Sequence, residues 1–345
     1  MDIKKFEELL NKTVVPSNAS IEAQMTLIEP LYQFLNNNLP TKLYKYRSCT
    51  DSNIDAFKSN QLWATTADNM NDGYDSRMYF DKEKVMENIK IHTSEEAIMN
   101  DLRRVKTARQ NRSFLETLPR CQEVISYLDL PEKCLRERVN SVREELIPYV
   151  LSGFESFYSA AQQVNTFYCL SETVRSATMW AHYSENESGF CIEYSFNCAH
   201  EHYPTKDGGL ASCTLYPVIY KQERYEVPPS YIESLKQRVL LQEILNVPVE
   251  IPWLDNLMPT KIMLYKSIDW QYEKEWRMFC TVQDDYSNPS NRKYCLIKKP
   301  SALYLGRRIS EANEKLLRVK AEEKGIPVYK MKLNDNSQTF DLCYD

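Results

Sequence analysis

Residues 270–282 read WQYEKEWRMFCTV. Taken as a β-strand from Lys274 to Val282, this stretch sends residues two apart to the same face. Glu273, Glu275 and Arg277 then line up together, while Trp276, Met278 and Cys280 turn toward the core. A strand of this kind needs neighbours, and the chain offers them on both sides. Asn165–Leu170 reads as a strand, and Ser176–Ser184 as a short helix. In the strand Phe190–Phe196, Phe190, Ile192, Tyr194 and Phe196 share one face, and Cys191, Glu193 and Ser195 the other. A strand near Leu215–Tyr220 contains Pro217, which has no N–H for a ladder and places it at a sheet edge.

Upstream, Leu43–Arg47 (LYKYR) and Gln61–Thr65 read as strands flanking a short helix at 51–58. The loop Ala67–Asp75 (ADNMNDGYD) carries turn-forming Asn, Asp and Gly. Residues 2–12 and 20–37 read as helices. From about 81 to 163 the pattern is helical, divided by Pro119, Pro131 and Pro148. Ser230 and Glu233 have the capping-box spacing for a helix over 230–246, and another helix is expected at 254–266. Leu303–Leu305, a helix over 310–324 ended by Gly325, and Val328–Leu333 form a β-α-β unit. The expected class is α+β: a mixed, mostly antiparallel sheet with a large helical insertion and a C-terminal β-α-β unit. The expected organisation is an N-terminal helical segment, 1–40, and one domain, 41–345.

Composition narrows the function. With 43% hydrophobic and 26% charged residues, the 345-residue chain can bury a substantial core. It has only 7 glycines and neither G-x-x-x-x-G-K-[ST] nor G-x-G-x-x-G, which argues against P-loop and dinucleotide-fingerprint enzymes. A net charge of −5 gives no footprint for nucleic acid. Ten cysteines without a C-x-x-C, and no apolar leader or long apolar run, predict free thiols in a cytoplasmic protein that does not enter the membrane. Cys198, His200 and His202 cluster in CAHEH, but no matching pair stands at ligand spacing, so no metal is expected.

Three constellations carry polar chemistry. Glu273 and Glu275 on one strand face could orient a sugar hydroxyl and stabilise positive charge at an anomeric carbon. The competing reading is a solvent-facing charge ladder in which Arg277 pairs with Glu275. Lys45 and Arg47 share one face of the first strand and Tyr44 and Tyr46 the other; the two cations suit a diphosphate or, alternatively, an exposed edge. The segment 170–194 gathers Ser171, Trp180, His182, Tyr183 and Glu193, with His182 either an acid/base or a packed hydrogen-bonding residue. A metal-dependent nuclease built on Glu193, Glu273 and Glu275 lacks D-x-D clusters.

Read together, LYKYRS (Leu43–Ser48), Leu62-Trp63, Asn71-Asp72, Cys169–Glu172, Met179–Tyr183, Gly189–Tyr194, Tyr265–Arg277 and Tyr304–Gly306 resemble a bacterial family, the domain of unknown function 2971. The resemblance runs from about 43 to 333. More distantly, the chain is similar to the ADP-ribosyltransferase fold. That similarity implies NAD as substrate, with Lys45 or Arg47 seating it, Ser171 central, and Glu273/Glu275 as the late catalytic pair. The chain carries LSE where arginine-class enzymes have S-T-S, and Lys45 where related strands have histidine. The expected activity is ADP-ribosyl transfer or NAD glycohydrolysis, as in a toxin or phage-defence effector. Glu275, Glu273, Ser171 and His182 are the expected catalytic residues; Lys45, Arg47, Tyr46, Trp180, Tyr183 and Arg277 are the expected binding residues. The expected partners are a nucleotide-type small molecule and a macromolecular acceptor. The alternative is a non-catalytic nucleotide- or protein-binding module.

Overall fold

In a computed structural model of the chain, described are all residues except 17–18, 80, 111–129, 138, 141–147, 149–151, 153–165, 227, 229–254 and 283–294. The fold is α+β. Its centre is a ten-stranded sheet with the order β14-β13-β12-β5-β1-β4-β10-β7-β6, and β3 pairs with β4 off this path. The strands are β1 (Lys42–Arg47), β2 (Gln61–Trp63), β3 (Thr65–Thr66), β4 (Thr166–Ser171), β5 (Phe190–Ser195), β6 (His200–Pro204), β7 (Leu210–Pro217), β8 (Ile219–Lys221), β9 (Tyr265–Ser267), β10 (Glu275–Val282), β11 (Cys295–Ile297), β12 (Ala302–Leu305), β13 (Val328–Lys332) and β14 (Cys343–Tyr344). Every pairing in the large sheet is antiparallel except β12 with β13. Between those two strands runs a helix over Glu311–Lys324, capped by Ser310 and ended by Gly325 in the left-handed conformation. That is the expected β-α-β unit.

The central strands are packed on both faces, against one core cluster on each side. On β5, Phe190, Ile192 and Tyr194 join the main core, as does Phe196 just beyond it. Cys191, from the opposite face, joins a second cluster with Tyr46, Trp180 and Tyr304. Close packing also explains two of the few glycines. A Cβ on Gly189 would stand 2.1 Å from Arg47 O, and one on Gly306 would stand 2.1 Å from Glu187 O.

Two helices, α1 (Ile3–Lys12) and α2 (Ile21–Asn38), dock on this core through Phe6, Leu10, Leu31 and Leu35. A third, α3 (Asp51–Lys58), follows β1. Of the expected helical insertion, α4 (Lys82–His92) and α5 (Glu95–Gln110) are described, and most of the remainder lies outside the described residues. The helix expected at 230–246 also lies outside them.

Two expectations change. β7 as a whole is not an edge strand, because it pairs with both β10 and β6, but the pairing with β6 stops at Thr214 and Pro217 itself stands on an open side. Proline is tolerated there because no strand stands opposite it on the β6 side to take a ladder N–H. The helix expected at 254–266 shortens to Met258–Ile262. Tyr265–Ser267 instead pairs as β9 in parallel with β8.

Candidate functional site

β1 and β4 meet at a single register pair, Tyr44 with Ser171, whereas β1 and β5 pair along six. The sheet is thus open along most of the β1/β4 seam. A cavity of about 250 Å³ lies there, lined from β1 by Tyr44, Lys45 and Tyr46 and from β4 by Cys169, Leu170 and Ser171. Lys45 bridges the seam, donating from Nζ to Cys169 O at 2.8 Å. Burial, followed by the neighbouring Arg47, pulls the Lys45 pKa down to about 8.

The floor is a chain of buried charges. Arg277 is fully buried and donates from Nε to Glu275 Oε1 at 2.9 Å and from Nη2 to Asp75 Oδ2 at 2.6 Å. Its Nη1 reaches Ser76 Oγ at 3.1 Å, and its guanidinium carbon lies 4.8 Å from the Phe167 ring centroid. Lys266 donates to Glu273 Oε2 at 2.6 Å and to Glu275 Oε2 at 3.1 Å, with Asp75 Oδ2 at 3.4 Å. Three carboxylates therefore alternate with two cations, the arrangement that makes buried charge tolerable. Burial opposes the charge of Lys266, but Glu275, Asp75 and Glu273 hold its pKa well above the ordinary lysine value.

The two glutamates do not arrive as the strand period implies. Glu273 ends a 3₁₀ helix, Ile268–Glu273, and only Glu275 belongs to β10. Lys274 between them is left-handed, with φ 46° and ψ 52°. This turn brings both carboxylates to the same ammonium. The solvent-facing ladder is corrected as well: Arg277 does pair with Glu275, but inside the protein, with Glu273 4% and Glu275 5% exposed.

Their environments drive the pair apart. Burial dominates at Glu273 and raises its pKa. At Glu275 burial is overcome by Arg277 and Lys266, which hold the carboxyl well below the usual range. One carboxyl is thereby a stronger base and the other a fixed anion. The Tyr183 hydroxyl donates to Glu273 Oε1 and accepts from Asn71 Nδ2 at 3.1 Å. Ser171 Oγ donates to the Glu273 carbonyl at 2.6 Å, and the Glu275 N–H donates to the Tyr220 hydroxyl at 2.8 Å. These contacts fix the backbone on each side of Lys274.

Six of the ten residues singled out from sequence line the cavity: Lys45, Tyr46, Ser171, Tyr183, Glu273 and Glu275. Arg277 sits behind it as a clamp on Glu275. Three are elsewhere. Trp180 is fully buried, with Nε1 donating to Val174 O at 2.7 Å, so its ring is core and not a ligand platform. His182 is exposed and pairs through Nδ1 with the Tyr272 hydroxyl at 3.0 Å, away from the cavity. Arg47, at the end of β1 opposite Phe190, does not line the cavity, although it is close enough to lower the pKa of Lys45. The Tyr46 hydroxyl is committed to Thr173 O at 2.7 Å.

Lys266 and Asp75 escaped notice in the sequence. Lys266 is a single cation among largely apolar neighbours (Leu264, Tyr265, Ile268), and Asp75 lies in a loop whose acids read as turn formers. Glu193 serves another cluster, accepting from Tyr304 at 2.8 Å and Ser301 at 2.9 Å. Among the described residues no group of three or more His, Cys, Asp or Glu is placed to hold a metal ion, and no helix is long and apolar enough to cross a membrane. The described cysteines are free.

No curated protein and no solved structure matches the chain. Residues 179–278, which carry Tyr183, Lys266, Glu273, Glu275 and Arg277, match the model of a family described as "Protein of unknown function (DUF2971)".

Proposed function

We propose that the cavity at the β1/β4 seam binds the nicotinamide-ribose end of NAD and that the protein cleaves its glycosidic bond, passing the ADP-ribosyl group to water or to a macromolecular acceptor. The observation that carries this reading is the placing of Glu273 and Glu275 at the wall of one cavity, where both meet Lys266, Glu275 is also clamped by Arg277, and Glu273 instead meets the Tyr183 hydroxyl. Nicotinamide leaves as a neutral molecule, so the departing base needs no acid. What the step needs is an anion beside the developing oxocarbenium ion and a base for the incoming nucleophile. Glu275 supplies the fixed negative charge, and Glu273 takes the proton from water or the acceptor hydroxyl. The products are nicotinamide, ADP-ribose or its conjugate, and one proton. Ligand pockets run from roughly 300 Å³ upward, so a cavity of about 250 Å³ suits a base-and-sugar fragment. Consumption of NAD in this way would suit a toxin or phage-defence effector.

A second reading has its own support. Both oxygens of Glu275 are engaged, Oε1 by Arg277 and Oε2 by Lys266 and Arg277. A carboxylate so occupied also suits a non-catalytic wall, which makes the cavity a nucleotide-binding module. Incubating the pure protein with NAD separates the two. Release of nicotinamide that disappears in Glu273→Gln supports the enzyme. A rise in melting temperature with NAD, without any release, supports the binding module.

A further inference from the structure

A second cavity, of about 330 Å³, opens beside the first, and the two share Lys266. The same two segments wall both. Asn71 and Glu273 face the first cavity, while Asp72, Tyr74 and Trp270 face the second.

Three features of this second cavity ask for a ligand. Asp72 Oδ1 accepts from the Tyr74 N–H at 2.9 Å, but Asp72 Oδ2 is buried and finds no hydrogen-bond partner. A buried anionic oxygen left unpaired is costly and calls for a donor. Arg224 lies over the rings of Tyr74 and Tyr79, at 5.6 Å and 5.4 Å, and among the described residues it has no carboxylate partner. The neighbouring Lys221, by contrast, is neutralised by Glu7 at 2.5 Å. Trp270 offers a partly exposed indole whose ring centroid lies 5.1 Å from Lys266 Nζ.

An aromatic surface, a guanidinium held by stacking and a lone acceptor oxygen are the complement of a nucleoside monophosphate. The base stacks, the phosphate meets Arg224 and a ribose hydroxyl donates to Asp72. We propose that the second cavity is a nucleotide subsite that takes the adenylate half of a dinucleotide whose nicotinamide half fills the first. The dinucleotide part of this proposal rests on the NAD reading above. Lys266 is the residue at which the two halves meet.

Calorimetric titration with AMP and, separately, with nicotinamide mononucleotide tests it. Arg224 is exposed, so Arg224→Ala leaves the fold intact. The expected result is that wild type binds both probes and that Arg224→Ala weakens AMP about tenfold or more, the loss of one charge-assisted contact. Binding of nicotinamide mononucleotide should not change, and Arg224→Lys should recover part of the AMP affinity. If AMP fails to bind wild type, or binds Arg224→Ala equally well, the subsite is wrong whatever the other probe does. If AMP binds through Arg224 but nicotinamide mononucleotide does not bind, the subsite stands and the NAD reading of the first cavity falls.

Discussion

Lys266 Nζ stands 2.6 Å from Glu273 Oε2, and the lysine side chain is 1% exposed. That contact links a 3₁₀ helix to β9 and makes one buried cation answer to three carboxylates. Removing one member of such a network strands the others as uncompensated buried charge. Lys266→Met should therefore cost about 3–5 kcal/mol in a urea titration. The deficit should shrink in acid, because the stranded carboxyls of the variant gain protons in the folded state. A loss below about 1 kcal/mol would show that the network does not hold the floor.

Glu275 gives wild-type stability its own pH dependence. Its folded pKa lies below the unfolded value, because Arg277 and Lys266 outweigh burial. The stabilisation it provides is complete above the ordinary carboxylate range, about pH 4.3, and is lost as pH falls through and below it. Denaturant midpoints measured between pH 6 and pH 3 should fall less steeply in Glu275→Gln than in wild type. Parallel curves would mean that Glu275 is not the group responsible.

Lys45 predicts a second pH effect, on binding. With its pKa near 8, it carries its charge below that value and loses it above. The affinity of nicotinamide mononucleotide, an anion, should decline as pH rises through about 8. In Lys45→Met the same titration should be weaker and flat.

The left-handed Lys274 is a local strain. A non-glycine residue in this conformation costs roughly 1–2 kcal/mol, while glycine adds entropy to the unfolded chain. Lys274→Gly should come out about 0.5–1 kcal/mol more stable by thermal melting, with the cavity unchanged. Lys274→Pro cannot adopt a φ of 46° and should be markedly destabilised.

Much of the fold was legible because its signals are local. The Ser310 cap and Gly325 stop fix the last helix, and the β-α-β connection follows from their spacing. Leu43–Arg47 and Phe190–Phe196 announce themselves by apolar and aromatic content. Pro217 marks a local edge and not an edge strand, since β6 covers β7 only as far as Thr214. The site was half legible. Glu273, Glu275 and Ser171 stood out as polar residues within strand-like text, and the structure does bring them together. The reason for their meeting was hidden: the turn at Lys274 and the charge of Lys266 are tertiary facts with no periodic trace. His182 and Trp180 show the converse, that residues close in sequence need not serve one site. A seven-residue helix, Ala177–Tyr183, instead sends Trp180 into the core, Tyr183 to the cavity and His182 to the surface.

Whether Glu273 acts as the base in NAD cleavage is decided by a time course of nicotinamide release from NAD by wild type, Glu273→Gln and Tyr183→Phe, each first shown to be folded by circular dichroism. If Glu273 is the base, wild type releases nicotinamide and Glu273→Gln is slower by about 10²–10⁴-fold. Tyr183→Phe, which keeps the carboxylate but loses its hydrogen bond, falls between them. Equal rates in wild type and Glu273→Gln, or no release by any folded sample, would contradict the claim.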